Sequence, residues 1–568
     1  MTEPTEPVAG PRPPEDPRTG TAPSAPAGAG PTATSPLALR LAASVLSGVL
    51  LVFIAAPVNL HWAHWLSFVP MLWAMQGAPG DRRAYKINAL VAFAGGWVAI
   101  FWLYFWIIET IGRFSNLPWA VGFGLHSFFA FLFALPYPLV FPLAPVLRRH
   151  LGRWWLLAWP ALEVAVEMLP ALFPYYHGVS QYRFLPTYQL TSVTGITGLT
   201  FLVFLTNALG AEWLWSRREG RPLPWVPTGL TAGALAGVVG FGLWRIGALD
   251  AAAAQAPNLR VAILQQNVTM EQRLKESPFA AVMEWEALSL SAKLLTPDLV
   301  IWPEGTSVLN PDDERRFKSL NSRSPKELFS TLATRLNADL LIGGGTMEDV
   351  PKSKEAPRGF LAYNSAYGFT RDGALNGRYD KMIPLPFGEY IPLSGTFPIL
   401  NELISGPGDF RAGDTPTTFD GTTAEGHAYT YSVPICYEAI LNLSMHKLLA
   451  GDRERPVDLF VVITNDAWFG DTSSPHQHAM LTTIHALQLG RPMVRMAYTG
   501  VSWVVDPHGR IRHETAPFTD VTDVATVPLQ TVDTVYTRGG WVFPYLCIGG
   551  ALGALVVARR RAQAQTPA

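Results

Sequence analysis

Charge is scarce in this sequence. Only 15% of its 568 residues are charged, against about 25% in a typical soluble chain, and the mean hydropathy is +0.18. That excludes a simple cytosolic enzyme. Cysteine is scarcer still: Cys436 and Cys547 are the only two, which excludes a disulfide-stapled secreted module. No basic excess exists either, since the net charge is −1, so there is no basic face to attract nucleic acid. There is no internal repeat and no phosphate-binding loop. Gly343-Gly344-Gly345 lacks the Lys and Ser/Thr of such a loop and reads as a turn.

What the chain does have is long apolar runs. Residues 1–36 are dominated by Pro, Ala, Gly, Thr and Glu and cannot bury enough apolar surface to offset their ordering entropy, so they read as a disordered tail. Seven runs follow, at about 37–56, 60–76, 87–109, 119–147, 154–171, 196–216 and 226–245, and an eighth at about 541–558. A span needs about 20 residues. The second run is short, and the fourth is broken by Pro136, Pro138, Pro142 and Pro145. Basic residues cluster after the even runs: Arg82, Arg83 and Lys86; Arg148, Arg149 and Arg153; Arg217, Arg218 and Arg221; Arg559, Arg560 and Arg561. The short loops after runs one, three and five hold only Arg113 and Arg183. Basic residues favour the cytoplasmic side. Both termini, including the 559–568 tail, are therefore expected in the cytoplasm, and the insert after run seven outside.

That insert, about 258–530, carries β-rich runs at 259–266, 299–302, 339–343, 431–436, 458–464 and 493–506, with helix-like stretches such as 279–295 and 475–489 between them. The alternation predicts a layered α/β or α+β domain. Three of its segments end in a reactive side chain. In Leu299-Val300-Ile301-Trp302-Pro303-Glu304 the proline is expected to stop the strand. Arg378-Tyr379-Asp380-Lys381 precedes a Pro/Gly-rich loop, and Ser432-Val433-Pro434-Ile435-Cys436-Tyr437-Glu438 ends in a thiol and two polar-capable residues. A carboxylate can take a thiol proton, and an ammonium can stabilise an oxyanion. Singly, a cysteine in a strand is most often a small core residue, and a lone Glu or Lys a solvated charge. Spacing alone does not assemble the three.

Together, Trp302-Pro303-Glu304, Tyr379-Asp380-Lys381 and Ile435-Cys436-Tyr437-Glu438 resemble the nitrilase (carbon–nitrogen hydrolase) superfamily. With spans on both sides, the chain from about residue 37 resembles the apolipoprotein N-acyltransferase family. Pro386-Phe387-Gly388-Glu389-Tyr390, Asn465-Asp466-Ala467-Trp468-Phe469-Gly470, Gly490-Arg491-Pro492 and, in the membrane half, Gly178-Val179-Ser180-Gln181 and Gly195 to Gly198 add to the match. The resemblance implies a multi-pass α-helical membrane domain of about eight helices (37–245 and 541–558) plus an αββα sandwich. It implies that Glu304 is the general base, Cys436 the nucleophile that becomes a thioester, and Lys381 the stabiliser of the tetrahedral intermediate. Glu389 would support the site by positioning Lys381, and Tyr437, Glu438 and Trp468 would shape substrate access. The reaction implied is a two-step transfer from a phospholipid to the α-amino group of the diacylglyceryl cysteine of an apolipoprotein, at the outer face of a bacterial inner membrane, with no cofactor, no metal, no nucleic acid and a monomeric enzyme. Two departures, Lys275-Glu276 and Tyr498-Thr499-Gly500, touch the expected acyl pocket.

The remaining candidates have plainer readings. His476, His478 and His485 lack a Cys or acidic ligand set and are not expected to hold a metal. Glu163 and Glu167, four apart on one face of run five, are either functional intramembrane carboxylates or plain ones, with Glu163 satisfied within the bundle and Glu167 near the outer interface. Cys547 reads as packing; Trp62, Trp65, Trp154 and Trp155 as interfacial belts. The apolar stretch 385–404, with Phe387, Tyr390, Ile391, Phe397, Ile399 and Leu400, either covers acyl chains or packs on the sandwich. A membrane-anchored hydrolase with the same three residues remains the alternative, as does a non-enzymatic receptor or transporter. The latter is disfavoured because paired broken segments are missing.

Overall fold

The computed structural model describes residues 34–564 apart from 78–80, 115–117, 274, 308–310, 312–323, 354–358, 393, 395, 397–408 and 455. Nearly all of the 1–36 tail, and Phe397, Ile399 and Leu400 of the apolar stretch, lie outside the described residues.

Among the described residues, six helical stretches are long and apolar enough to cross a membrane: Leu37–Ile54, Arg82–Leu103, Trp119–Glu167, Ile196–Arg218, Trp225–Ala253 and Gly540–Ala564. Two differences from the eight apolar runs have physical reasons. Trp119–Glu167, 49 residues, would reach roughly 73 Å at about 1.5 Å per residue, more than twice the hydrocarbon thickness. Its prolines divide the first arm, and Gly152, at φ +57, turns the chain so that Trp155–Glu167 packs back on Leu143–Leu151. The run 60–76 forms only a short 3₁₀ turn, His61–Trp65, and one helical turn and a half, Val69–Trp73. It nonetheless travels the depth of the bundle. Leu60 bonds to Phe53 at one end of the first helix, while Ala74 accepts from Arg40 at the other. The helices on either side of it lie parallel: Arg40 meets Asn88, and a Cβ on Gly48 would lie 2.3 Å from the Gly95 carbonyl oxygen. Two parallel neighbours require a return pass between them. Of the tryptophans, Trp62 and Trp154 are exposed, but Trp155 is buried and donates to Glu212 at 2.8 Å. It is core rather than belt.

Among the described residues, twelve strands form two six-stranded sheets: β1 (Asn258–Gln265), β2 (Leu299–Ser307), β3 (Asp339–Asp349), β4 (Phe360–Phe369), β5 (Leu375–Asp380), β6 (Thr418–Thr422), β7 (Ala428–Ser432), β8 (Leu459–Thr464), β9 (Met493–Ala497), β10 (Trp503–Val505), β11 (Ile511–Glu514) and β12 (Val521–Pro528). The orders are β12-β1-β2-β3-β4-β5 and β11-β10-β9-β8-β7-β6. The run 493–506 is thus a hairpin of β9 and β10, not one strand. On β1, Leu259, Val261 and Ile263 join the core between the sheets, while Ala262 and Leu264 join the outer core under the helices Pro278–Ala292 and Pro325–Leu336. Burial on both faces explains why such strands read as continuous apolar runs. Helices Asn442–Ala450 and Ser474–Leu489 cover the second sheet, completing the αββα sandwich.

The sandwich sits directly on the bundle. All but two of the sixteen residues of Ser474–Leu489 are buried, although the helix carries several polar side chains. One face covers the second sheet and the other meets the membrane half. Thr483 bonds to Tyr188 at 2.8 Å, and Gln477 takes a bond from Trp106 and gives one to Leu103.

Candidate active site

Regular geometry first breaks on β2. Its pairing with β3 runs to Trp302↔Ile342 and resumes at Ser307↔Gly344. Pro303 has no N–H for the ladder, so the strand bulges rather than stops, contrary to the sequence expectation. The triple glycine lies opposite, inside β3 and not in a turn. A Cβ on Gly343 would lie 2.2 Å from the Pro303 carbonyl oxygen, and one on Gly344 2.7 Å from that of Ser307. Gly305, at φ +68, completes the bulge that carries Glu304.

Glu304 is buried and fully engaged. Its Oε1 accepts from Asn364 Nδ2 at 2.7 Å, its Oε2 from the Asn465 N–H at 2.9 Å, and Lys381 Nζ lies 3.5 Å from Oε1. Lys381, just beyond β5, is buried and sits 2.7 Å from Glu389 Oε2. Burial pulls the lysine's pKa down, but Glu389 and Glu304 outweigh it and hold the ammonium above the usual lysine range. Burial likewise works against the charge on Glu389. Lys381, with hydrogen bonds from Asn364 (2.6 Å) and the Leu385 N–H (2.6 Å), holds that carboxyl below its ordinary value. Asn364 thus spends both hydrogens of one amide nitrogen to tie two carboxylates around one ammonium. Sequence reasoning missed it, because β4 was not among the expected strands.

Cys436 follows β7 at the start of a one-turn helix, Cys436–Ile440. Its φ is +52, a left-handed conformation that costs a non-glycine residue roughly 1–3 kcal/mol and persists only where surroundings hold it. Burial, and then the charge on Glu304, push its thiol pKa up. Glu304 is thus the carboxylate whose charge weighs most on that thiol.

Two supporting residues act differently from expectation. Glu438 lies inside the fold, not on an access path. It accepts from Tyr379 Oη (2.9 Å), the Met382 and Ile383 N–H groups (2.7 and 2.9 Å) and the Ile435 N–H (3.0 Å). One carboxylate therefore fixes the loops bearing Lys381 and Cys436. Burial raises its pKa to about 7, so the folded state binds its proton more tightly than the unfolded chain. That protonation adds stability as pH falls from about 7 towards 4.5, and the contribution is lost as pH rises through 7. Glu438→Gln presents an N–H₂ where one of these donors needs an acceptor. It should cost about 1–3 kcal/mol and slow iodoacetamide alkylation of Cys436, read by thermal melting and mass spectrometry. Trp468 is partly buried against the outer core, and its neighbour Phe469 instead lines the cavity at Cys436. Tyr437 does sit at the opening, its Oη donating to the Leu172 carbonyl at 2.8 Å.

An apolar cavity opens at Cys436. One wall comes from the membrane half, with Tyr104, Trp106, Phe173 and Tyr175, and the other from the sandwich, with Tyr437, Ile440, Phe469, His478 and Met480. Trp106 packs edge-on against Phe173 and Phe469, ring centroids 5.4 and 5.2 Å away. Phe387, held at φ +63 in the turn that carries Glu389, is exposed. Tyr498 contacts Trp285 in the outer core, so that departure touches the sandwich core and not this cavity. Beyond Cys436, Asp466 is buried between Arg495 (2.8 Å) and His478 (3.1 Å). Burial opposes its charge, but Arg495 holds its carboxyl well below the usual range.

The other candidates resolve simply. Glu167 Oε1 accepts from the His177 N–H (2.5 Å) and Thr200 Oγ1 (3.0 Å). Glu163 Oε1 has no hydrogen-bond partner among the described residues. Cys547 packs with Ala161, Val164 and Ala551. Among the described residues no group of three or more His, Cys, Asp or Glu side chains could hold a metal ion.

The sandwich is the carbon–nitrogen hydrolase fold: residues 260–537 match the carbon–nitrogen hydrolase family model. A carbon–nitrogen hydrolase from Helicobacter pylori G27 aligns over 48% of this chain and 89% of its own, at 17% identity and a TM-score of 0.33. Residues 47–209 match the model of the apolipoprotein N-acyltransferase N-terminal domain. The apolipoprotein N-acyltransferase of Geobacter metallireducens is 32% identical over 536 residues, 91% of this chain and 95% of that one. That of Bradyrhizobium diazoefficiens is 27% identical over 548 residues, 93% and 96% of the two chains. The chain belongs to the apolipoprotein N-acyltransferase family.

Proposed function

We propose that this protein moves a fatty acyl group from a membrane phospholipid, through a thioester on Cys436, to the α-amino group of a diacylglyceryl cysteine at the N-terminus of an apolipoprotein. In the first step Glu304 takes the thiol proton as sulfur attacks the ester carbonyl. Lys381 faces the oxyanion, and the lysophospholipid alcohol leaves with the proton. In the second step the amine attacks the thioester, Glu304 takes its proton, and the thiol is restored as the amide forms. Glu389 and Asn364 keep Lys381 aimed, and no step asks for a cofactor.

The observation that carries this reading is the cavity at Cys436, walled jointly by membrane helices and sandwich. A hydrolase acting on soluble amides gains nothing from placing its nucleophile there, whereas a lipid-borne ester reaches it from the bilayer. The apolar walls also keep water from the thioester. We read the chain as an inner-membrane protein crossing eight times, with both termini cytoplasmic, the 258–530 domain outside and the enzyme monomeric. The parallel packing of Leu37–Ile54 with Arg82–Leu103 supports the return pass through 60–76.

Protein incubated with phospholipid and no amine acceptor should gain one acyl group on Cys436 by mass spectrometry and release little free fatty acid. A folded protein with no adduct overturns the covalent route. Steady release of fatty acid without an acceptor favours the hydrolase alternative.

A further inference from the structure

We propose that His478 is a positioning residue for the nucleophile, anchored by Asp466 and Arg495 and holding the carbonyl of Cys436. The inference deepens the acyl-transfer reading and rests on it for the reaction, though not for the geometry.

His478 Nε2 lies 3.2 Å from the Cys436 carbonyl oxygen, which can only accept, so Nε2 carries the proton. Nδ1, left as the acceptor, takes a hydrogen bond from Arg495 Nη2 at 3.1 Å, with Asp466 Oδ1 3.1 Å away and itself held by that same guanidinium group. Asp466 is fixed in turn by Arg495 Nη2 (2.8 Å) and Thr464 Oγ1 (3.1 Å). Arg495 and Asp466 are completely buried. Gly500 backs the carboxylate so closely that a Cβ there would lie 2.0 Å from Asp466 Oδ2. A buried ion pair with no slack is a stiff base on which to mount an imidazole.

What the imidazole holds is the strained point of the site. Cys436 sits at φ +52, and its carbonyl shares one planar peptide with the Tyr437 N–H. Fixing the oxygen fixes the direction of that N–H and limits where Sγ can swing. The same turn that supplies Asp466 also gives the Asn465 N–H to Glu304. The β8 turn therefore holds both partners of the first proton transfer, the base directly and the nucleophile through His478.

The test uses the full-length protein in lipid with two variants, His478→Leu, which keeps bulk and loses the donor, and His478→Gln, which keeps a donor. The alkylation rate of Cys436 by iodoacetamide reads the tie without reference to acyl transfer. We expect His478→Leu to slow alkylation about tenfold and transfer about 10²-fold, in the range seen when one aimed hydrogen bond is lost. Acceptor KM should stay within about threefold and the melting temperature close to wild type. His478→Gln should recover both rates to within about tenfold, with an unchanged pH profile. Normal alkylation in His478→Leu overturns the proposal. So does failure of His478→Gln to rescue a folded protein, which would assign the histidine a proton-transfer role, and so does a rate loss that merely tracks a fall in melting temperature. If wild type takes no acyl adduct, the function falls, and the alkylation rates alone decide the tie.

Discussion

Cys436→Ser protein is expected to take no acyl adduct from phospholipid and to lose transfer by about 10⁴-fold or more, the scale of removing a covalent nucleophile. The reason lies in how little help the site gives to ionisation. Burial and the charge on Glu304 hold even the thiol protonated, so its proton must leave during attack. A serine hydroxyl is a far weaker acid, and the same carboxylate cannot remove its proton at useful cost. The fold should be untouched, because Sγ and Oγ differ little in size and the left-handed backbone at 436 is held by its neighbours. Circular dichroism and melting temperature check the fold; intact mass and transfer rate check the chemistry. A serine variant that transfers at even a hundredth of the wild-type rate would remove sulfur from the mechanism.

Much of this was legible in the sequence because the reacting groups sit in short local motifs at strand ends. Glu304, Lys381 and Glu389 meet in one cluster of ion pairs, and the charges of Glu304 and Lys381 bear on Cys436. What sequence reasoning missed depends on geometry of a different kind. Pro303 was read as a stop, yet a strand flanked by a partner that offers Gly343 and Gly344 can bulge around a proline and continue. Trp468 and Phe469 are adjacent on the one-turn 3₁₀ helix Asp466–Phe469, where successive side chains diverge by about 120°. Which of them meets the substrate depends on the turn's orientation and not on residue type. Asn364 carries no local mark, since an asparagine on β4 becomes a bridge only when two carboxylates from distant segments arrive beside it. The sequence pattern offers His478 only as a metal ligand, because its partners come from separate segments, Asp466 from the turn past β8 and Arg495 from the middle of β9.

The second large effect is expected at Lys381. Around it, Glu304 and Glu389 share one ammonium, and Asn364 donates to both. Lys381→Met removes the ammonium that pairs with both and leaves two buried carboxylates facing each other. Breaking a buried pair in this way costs about 3–5 kcal/mol, and loss of the group facing the oxyanion costs a further 10²–10³-fold in rate, roughly, or more. One carboxyl in the variant must then hold its proton to well above its unfolded value. Its penalty grows as pH rises from about 4.5, so the variant should regain stability as pH falls towards that value. A second substitution separates the two costs. Glu389→Gln in the Lys381→Met background removes the like-charge repulsion and should recover most of the lost stability, while transfer stays at the level of the single variant. Melting temperatures across pH 5–8 and transfer rates for both variants provide the check. Recovery of activity along with stability would mean that Lys381 serves only to neutralise its neighbours and does not act on the reacting carbonyl.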